Sequence, residues 1–289
     1  MIHLENEFLK VSVRNQGAEL TSFYNNTTGI EHLWQADPSV WGWYSPNLFP
    51  VVGGCLNNQI VVDGMPFKME RHGFARNSTF KVIDCTDTHA VFELNDSVET
   101  HVNYPYKFTF QVIYDLLDNE LKITYKVINR DNKTIYFSVG AHPAFRIPFD
   151  KNDSLEDYYL EFERDEVLEK HLLSVNGFFN GMTEIIRNES NTLLLSRELF
   201  KNDALVFKNL LSRELCLKSL NHSKSIYLKF PQFNYLGIWA KDDVPFICLE
   251  PWLGCADTEG KSEELKNKEA IQVLAAGQVF EADYRIGVL

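Results

Sequence analysis

Apolar and polar residues alternate along much of the chain, a pattern typical of β-strands with one buried face. The clearest run covers residues 106–114, and a second run covers residues 121–127. The polar sequence between them, residues 117–120, is typical of a hairpin turn. The two runs therefore predict an antiparallel hairpin with one packed face and one polar face.

Shorter strand patterns lie on both sides of this hairpin. They predict strands at residues 17–23, 203–207, 215–217, 226–230 and 276–286. Residues 235–240 and 246–250 form a hairpin-like pair across residues 241–243, whereas residues 262–268 favour a helical turn. Many short strands with almost no helix predict an all-β fold, a mostly antiparallel β-sandwich with few short helices that forms one domain over residues 1–289.

The composition narrows the class of protein. The 289 residues are 45% hydrophobic and 13% aromatic, which is enough to fill a core, so disorder is excluded. The net charge of −12 argues against nucleic acid as a partner, because phosphates need a basic surface. No apolar run approaches the length of a membrane span, about 20 residues, and the first residues lack a signal-peptide pattern. We therefore expect a cytoplasmic protein without membrane contact.

The five cysteines are odd in number and have no spacing typical of a metal site. They are Cys55, Cys85, Cys216, Cys248 and Cys255. We interpret them as reduced core thiols, and we predict neither a disulfide nor a required metal. The sequence also lacks a G-x-S-x-G elbow, a P-loop, a G-x-G-x-x-G turn and an H-E-x-x-H zinc motif.

Two ionisable residues, His142 and Glu250, each end a predicted strand and each precede a proline. A histidine in such a place is often a hydrogen-bonded structural residue, and a glutamate is often ion-paired. Their similar presentation nevertheless predicts that both side chains converge on one pocket. Partial burial would raise the pKa of Glu250 above its usual value of about 4.3 and make it a better base.

A third segment, residues 71–76, places one imidazole and two guanidinium groups beside a glycine. A salt-bridged loop explains this composition, and so does a polar clamp for a hydroxylated ligand. We predict that this segment lines the same cleft as His142. The aromatic block at residues 41–50 contains two prolines and a glycine, so it is predicted to be a long loop that feeds short strands.

Three motifs together resemble the aldose 1-epimerase (galactose mutarotase) family, and its LacX-like branch in particular: GAHPAF at residues 140–145, LEPW at residues 249–252 and RHGFAR at residues 71–76. The resemblance covers nearly the whole chain. It implies a galactose-mutarotase-like β-supersandwich with an open cleft for a small-molecule sugar and no cofactor. It also implies that His142 is the general acid and Glu250 the general base.

The same resemblance implies the substrate-binding residues. His72 would hydrogen-bond the sugar, Arg76 matches an arginine of the hexose-6-phosphate epimerase branch, and Asp203 matches an aspartate that binds sugar hydroxyls. Relatives often carry an arginine near residues 52–55, where this chain has none. That cationic contact is either missing or supplied by Arg71 or Arg76.

Three functions remain open from the sequence, in a monomer or a homodimer. The first is an epimerase of a neutral hexose, the second an epimerase of a hexose 6-phosphate, and the third a non-catalytic sugar-binding or sensor module. For an enzyme, we expect His142 and Glu250 to stand several ångströms apart across the sugar ring and to give a bell-shaped pH profile. Trp43, Trp239 and Trp252 are candidates to stack on the pyranose, with core packing as the alternative for each.

Overall fold

The structure is a computed structural model that describes residues 1–241 and 244–289. Its strands, numbered in chain order, are β1 (Ile2–Glu5), β2 (Leu9–Arg14), β3 (Glu19–Asn25), β4 (Ile30–Glu31), β5 (Asn47–Leu48), β6 (Gln59–Val62), β7 (Met65–Lys68), β8 (Lys81–Cys85), β9 (His89–Asn95), β10 (Phe108–Leu117), β11 (Glu120–Asn129), β12 (Ile135–Phe137), β13 (Val139–Ala141), β14 (Ala144–Arg146), β15 (Tyr158–Phe162), β16 (Leu168–Leu173), β17 (Phe179–Ile186), β18 (Thr192–Leu194), β19 (Leu205–Phe207), β20 (Glu214–Ser219), β21 (Ser225–Lys229), β22 (Tyr235–Trp239), β23 (Phe246–Leu253), β24 (Gln272–Leu274) and β25 (Val279–Val288). The helical segments are α1 (Val98–His101) and the short 3₁₀ turns Leu56–Asn58, Ala75–Asn77, Leu155–Asp157, Arg197–Phe200 and Leu265–Asn267.

Two large sheets dominate the architecture. One has nine strands in the order β18-β15-β20-β21-β25-β11-β10-β9-β8, and the other has eight, ordered β17-β16-β19-β22-β23-β13-β5 with β14 also paired to β23. A four-stranded sheet, β1 to β4, and the two-stranded ribbons β6-β7 and β12-β24 complete the described strands. The neighbours β10-β11, β11-β25, β22-β23 and β13-β23 all pair antiparallel, which confirms the predicted all-β, mostly antiparallel class.

The predicted hairpin is present as β10 and β11. Leu117 lies opposite Glu120, and Asp118 between them has a positive φ of 47°, as a tight turn requires. The hairpin of β22 and β23 is also confirmed, although residues 242–243 of its predicted turn lie outside the described residues. The strand predicted from residue 203 begins only at Leu205, and the helical turn predicted at residues 262–268 is limited to Leu265–Asn267.

The main core contains residues of both large sheets. Phe110 and Tyr125 of the nine-stranded sheet join the same buried cluster as Ile247 and Leu249 of β23. Phe49, from the end of the aromatic loop, stacks on Phe110 with ring centroids 4.4 Å apart. The sheets therefore pack face to face, and one face of β23 is buried in the core.

Among the described residues, no helix is long and apolar enough to cross a membrane. The five cysteines are free, and all except Cys85 are buried.

Candidate functional site

A pocket of about 240 Å³ lies on the face of the eight-stranded sheet that is turned away from the main core. It brings together the six side chains predicted to be catalytic or substrate-binding: Arg71, His72, Arg76, His142, Asp203 and Glu250. The segment at residues 71–76 therefore lines the same cleft as His142, as predicted. The remaining walls include four aromatic side chains, Trp41, Phe179, Trp239 and Trp252.

Side-chain alternation along β23 explains how the pocket acquires its carboxylate. Ile247 and Leu249 point into the main core, so the residues between and after them point to the other face. Glu250 and Trp252 both line the pocket, and Glu250 is only 2% exposed. A buried glutamate on a strand of apolar residues is thus aimed at the site by the pleat of the sheet.

Strand register explains the position of His142. β13 pairs with β23 through Gly140 and Trp252, and β14 continues the same register with Ala144. His142, which lies midway between β13 and β14, therefore stands opposite Glu250. Directly opposed residues have Cβ atoms about 4.5–5.5 Å apart, close enough for their side chains to touch.

The two side chains are in direct contact, with His142 Nε2 3.2 Å from Glu250 Oε2. The expectation that they stand several ångströms apart was wrong. The physical reason is the cross-strand register, which makes them immediate neighbours instead of placing them on opposite walls. A ligand hydroxyl must enter between or beside them to reach both.

Burial controls the protonation of this pair. It raises the pKa of Glu250 well above its usual value, and the charge of Asp203 adds to the shift. Burial also lowers the pKa of His142 below its usual value, and the charge of Arg76 lowers it further. Both shifts favour a pair that shares one proton across a wide pH range, because two protons or none would leave a buried net charge.

His72 is held as a hydrogen-bond donor. The Gly53 N–H donates to its Nδ1 over 3.1 Å, so the ring proton of the neutral form must lie on Nε2. Burial lowers the pKa of His72 well below its usual value, and the charges of His142, Arg76 and Arg71 contribute. Its ring centroid is 5.6 Å from that of His142. The residue has a φ of +68°, which for a histidine is a strained conformation of the kind found at functional sites.

The two arginines have different contacts. Arg76 Nη2 donates to the Arg71 carbonyl over 2.9 Å, its guanidinium lies 5.2 Å from the Trp43 ring, and its Nε has no hydrogen-bond partner in the part of the chain that the structure describes. Arg71 Nη2 donates to the Asn176 carbonyl over 2.8 Å. Within the described residues, neither guanidinium lies within ion-pair distance of a carboxylate.

Arg71 also sets the position of one pocket wall. Its guanidinium packs against Gly177, where an added Cβ would come within 2.4 Å of Nη2. Gly177 has a φ of +73° and lines the pocket, so the loop between β16 and β17 approaches Arg71 as closely as only a glycine permits. The same side chain thus both faces the cleft and holds its rim.

Asp203 lies at the exposed edge of the pocket, two residues before β19. Its φ is +83°, and its Oδ1 accepts a hydrogen bond from the Ala204 N–H over 2.8 Å. That local hydrogen bond stabilises a backbone conformation that few residues other than glycine adopt. The carboxylate is therefore presented to the cleft from a fixed turn.

Aromatic rings form the rest of the site. Trp41 stacks on His142 with ring centroids 5.2 Å apart, and Trp239 contacts the same imidazole edge-on at 6.0 Å. The Trp252 ring lies flat over the sheet, because Gly140 and Gly237 on the neighbouring strands leave room for it; a Cβ on either glycine would come within 2.6 Å of the ring. This arrangement gives the pocket an aromatic floor.

Trp41 lines the pocket although the sequence did not indicate it, whereas the predicted Trp43 does not. Trp43 is outside the pocket, where its ring packs under the guanidinium groups of Arg14 and Arg76. Trp41 takes its place, and no pattern in an irregular loop distinguishes these two tryptophans. Cys248 is a free, buried thiol, as expected, and its Sγ and the donor atoms of His142 and Glu250 all lie within 4.8 Å of one another. Its position two residues before Glu250 on a strand was the available signal.

Comparison with known proteins supports the resemblance seen in the motifs. The aldose 1-epimerase family model matches residues 1–272. The chromosomal protein LacX of Lactococcus lactis subsp. lactis is 31% identical over 302 aligned positions, which cover 100% of this chain and 99% of that protein.

Two solved structures have the same fold. A galactose mutarotase-like protein from Lactobacillus casei ATCC 334 is 31% identical, with a TM-score of 0.95 and coverage of 100% of both chains. A galactose mutarotase related enzyme from Lactobacillus acidophilus is 30% identical, with a TM-score of 0.94 over 100% of this chain and 97% of that one. The predicted galactose-mutarotase-like fold is confirmed, and from the motifs, the pocket and these relatives together we conclude that the chain belongs to the aldose 1-epimerase family.

Proposed function

We propose that this protein is an aldose 1-epimerase that interconverts the α and β anomers of a neutral hexose. The single observation that carries the proposal is the contact between His142 and Glu250 in a pocket with aromatic walls. Anomerisation requires one group that accepts a proton and one that donates a proton, both within reach of the same sugar ring. It requires no cofactor, because the bond that breaks and re-forms is the hemiacetal bond between C1 and the ring oxygen.

The proposed reaction opens and closes the sugar ring. Glu250 accepts the proton of the C1 hydroxyl, His142 donates a proton to the ring oxygen, and the bond from C1 to the ring oxygen breaks. Rotation about the C1–C2 bond then presents either face of the aldehyde to the ring-closing hydroxyl. Closure returns both protons, so the enzyme ends the cycle in its starting state.

This division of roles requires the shared proton to lie on His142 when the sugar is bound. Burial alone favours the proton on Glu250. Sugar hydroxyls that donate hydrogen bonds to the Glu250 carboxylate stabilise its charged form, and this moves the proton to His142. Substrate binding and activation of the acid are therefore coupled in the proposal.

The other polar groups would orient the sugar. The Nε2–H of His72 is positioned to donate to a hydroxyl, and the Asp203 carboxylate is positioned to accept from one. Trp252, Trp239 and Trp41 would contact the C–H face of the pyranose, as aromatic rings do in many ligand pockets. These contacts provide affinity without excluding a particular hexose.

The test is polarimetry of freshly dissolved α-glucose and α-galactose. With the wild-type protein, the optical rotation should reach its equilibrium value faster than the spontaneous reaction allows, after subtraction of the buffer rate. A protein that binds these sugars, as measured by tryptophan fluorescence, yet leaves both rates unchanged would contradict the enzyme proposal. That outcome, together with an unchanged rate for α-glucose 6-phosphate, would favour the non-catalytic sugar-binding or sensor module.

One observation favours a second candidate, an epimerase of a hexose 6-phosphate. Arg71 and Arg76 face the pocket, and among the described residues neither has a carboxylate partner that would neutralise it. Guanidinium groups bind phosphate well because their fork of donors matches its oxygens. The same polarimetric assay with α-glucose 6-phosphate decides between the candidates, since a higher kcat/KM for the phosphorylated sugar would identify it as the substrate.

A further inference from the structure

We propose that His142, Cys248 and Glu250 form a binding site for a zinc-like divalent metal ion, and that occupation of this site reversibly inhibits the enzyme. The inference about inhibition rests on the proposed function, whereas the inference about binding does not. The three donor atoms, an imidazole nitrogen, a thiol sulfur and a carboxylate oxygen, all lie within 4.8 Å of one another. All three residues belong to the described part of the chain.

The positions of the donors follow from the sheet. Cys248 and Glu250 are two residues apart on β23 and therefore share its pocket face, while His142 stands opposite Glu250. Ala144 lies opposite Cys248, and both residues belong to a buried cluster with Trp34 and Phe246. Three ligands from one rigid ladder need little rearrangement to meet at a point.

The distances are compatible with a tetrahedral site. Zinc binds nitrogen, oxygen and sulfur ligands at about 2.0–2.3 Å, so neighbouring donors of a tetrahedron are about 3.3–3.7 Å apart. The separation of His142 Nε2 and Glu250 Oε2, 3.2 Å, is already close to this value. The sulfur needs to approach by at most about 1 Å, a shift that rotation of the Cys248 side chain supplies.

Two further features support a metal ligand set at this position. Within the described residues, Glu250 Oε2 is buried, and its polar neighbour is His142 Nε2, itself a ligand of the proposed site. A buried carboxylate oxygen whose neighbour is another metal-ligating atom favours a cation. The combination of thiolate and imidazole selects zinc, cobalt and similar ions over magnesium or calcium, which prefer oxygen ligands.

Three protein ligands leave a fourth position that faces the cleft, as in open zinc sites. Metal binding displaces the Cys248 thiol proton and the proton shared by His142 and Glu250 into the solvent. The acid–base pair can then neither accept nor donate a proton. The metal is therefore an inhibitor and not a cofactor in this proposal.

The experiment titrates the full-length reduced protein with Co²⁺ and Zn²⁺, with no other ligand present. Wild-type protein should bind one Co²⁺ per chain and develop the sulfur-to-cobalt charge-transfer band that a thiolate ligand produces. Cys248→Ser, which is nearly isosteric, should lose the band and bind the metal at least about tenfold more weakly. Cys85→Ser, which removes the exposed thiol, is the matched control and should bind as wild type does.

Three results would overturn the proposed metal site. A Cys248→Ser protein with unchanged band and affinity would show that the sulfur of Cys248 is not a ligand. If this variant fails to fold, X-ray absorption at the zinc edge of the wild-type protein replaces it, and a first coordination shell without sulfur overturns the proposal. A wild-type protein that binds no stoichiometric metal also overturns it.

Inhibition is measured separately, as the ratio of mutarotation rates with and without one equivalent of Zn²⁺ in each variant. For wild type, the rate with one equivalent of Zn²⁺ should be at least about tenfold lower than the rate without it. The rate should recover after a chelator removes the metal. A wild-type protein that binds zinc through sulfur but catalyses no mutarotation would refute the proposed function and leave the metal site intact. An active protein that stays fully active with zinc bound would refute the inhibition alone.

Discussion

Two groups of buried polar side chains differ in how completely their hydrogen bonds are formed. Asn47 in the core uses its whole amide: Nδ2 donates to the Gly17 and Ala18 carbonyls, each over 2.9 Å, and Oδ1 accepts from the Tyr125 hydroxyl over 2.7 Å. In the pocket, by contrast, His142 Nδ1, Trp252 Nε1 and Arg76 Nε are buried without a partner among residues 1–241 and 244–289. The core network is complete, whereas the pocket network is not.

We interpret this difference as a difference in function. Buried polar atoms are almost always paired, because an unpaired one costs about 1–3 kcal/mol. The core network meets this rule and stabilises the fold. Four of the unpaired buried atoms among the described residues, on Arg76, His142, Glu250 and Trp252, line the pocket, where a bound ligand would pair them. Substitutions in the pocket should therefore change activity, and substitutions in the core network should change stability.

The largest expected effect is on catalysis. Glu250→Gln keeps the shape of the side chain and removes the base, and His142→Asn removes the acid, so each should lower the mutarotation rate by about 10²–10⁴-fold. Polarimetry measures the rate, and circular dichroism checks that the proteins fold. Glu120→Gln is the matched control, because this carboxylate pairs with Arg285 outside the pocket. A Glu250→Gln protein with the wild-type rate would contradict the assignment.

The second effect is on affinity. Arg76→Ala removes a charged donor from the pocket, and hydrogen bonds to charged groups contribute about 1.5–3 kcal/mol, so the KM for sugar should rise about 10- to 150-fold. Arg14→Ala tests whether the change comes from lost packing instead, since Arg14 also contacts the Trp43 ring but lies outside the pocket. We expect Arg14→Ala to lower thermal stability and leave KM unchanged. An unchanged KM for Arg76→Ala would remove this arginine from the site.

The third effect is on stability alone. Tyr125→Phe leaves Asn47 Oδ1 without its donor in the core, which should lower the free energy of unfolding by about 1–3 kcal/mol in urea denaturation. The mutarotation rate per folded molecule should not change. Tyr159→Phe, at a partly exposed position, is the control and should cost much less. A Tyr125→Phe protein of wild-type stability would show that the completed network does not stabilise the core.

The smallest expected effect is that of pH near neutrality. The active pair holds a single proton. A second proton binds only below the lowered pKa of His142, and the single proton is lost only above the raised pKa of Glu250. As the pH falls, kcat/KM should therefore decline only well below about 6.5, the usual pKa of histidine. The plateau replaces the narrow bell expected from unshifted groups. A fall in kcat/KM with its midpoint near 6.5, measured after subtraction of the spontaneous rate, would contradict a pair that shares one proton.

Local signals were sufficient to predict much of the fold. The hairpin of β10 and β11 could be predicted because alternation and turn residues are encoded within a short segment. The six pocket residues could be proposed because each lies in a short motif at the end of a strand or in a turn. The galactose-mutarotase-like fold could be predicted because three such motifs occur together in the sequence.

The rest depends on contacts between segments that are distant in sequence. The direct contact of His142 with Glu250 follows from the register between β13, β14 and β23, which no local pattern reveals. The same is true of the short distance from Cys248 Sγ to this pair, because the strand pattern indicates only that the thiol is buried. Trp41 and Trp43 alternate in an irregular loop, so their sequence does not show which one faces the cleft. The cytoplasmic location and the choice between monomer and homodimer stay predictions.

The placement of His142 and Glu250 on one ladder also bears on how such a protein can diverge. Inserting a single residue within β23 would turn Glu250 into the core and destroy the pair, because side chains alternate between the two faces of a strand. Inserting residues at 174–178 or 41–46, which lie outside this ladder, would lengthen the rim of the cleft and leave the pair in place. New substrate preferences are therefore expected to arise by exchange of loops around an unchanged pair, and libraries that vary loop length should yield active variants far more often than libraries that vary strand length.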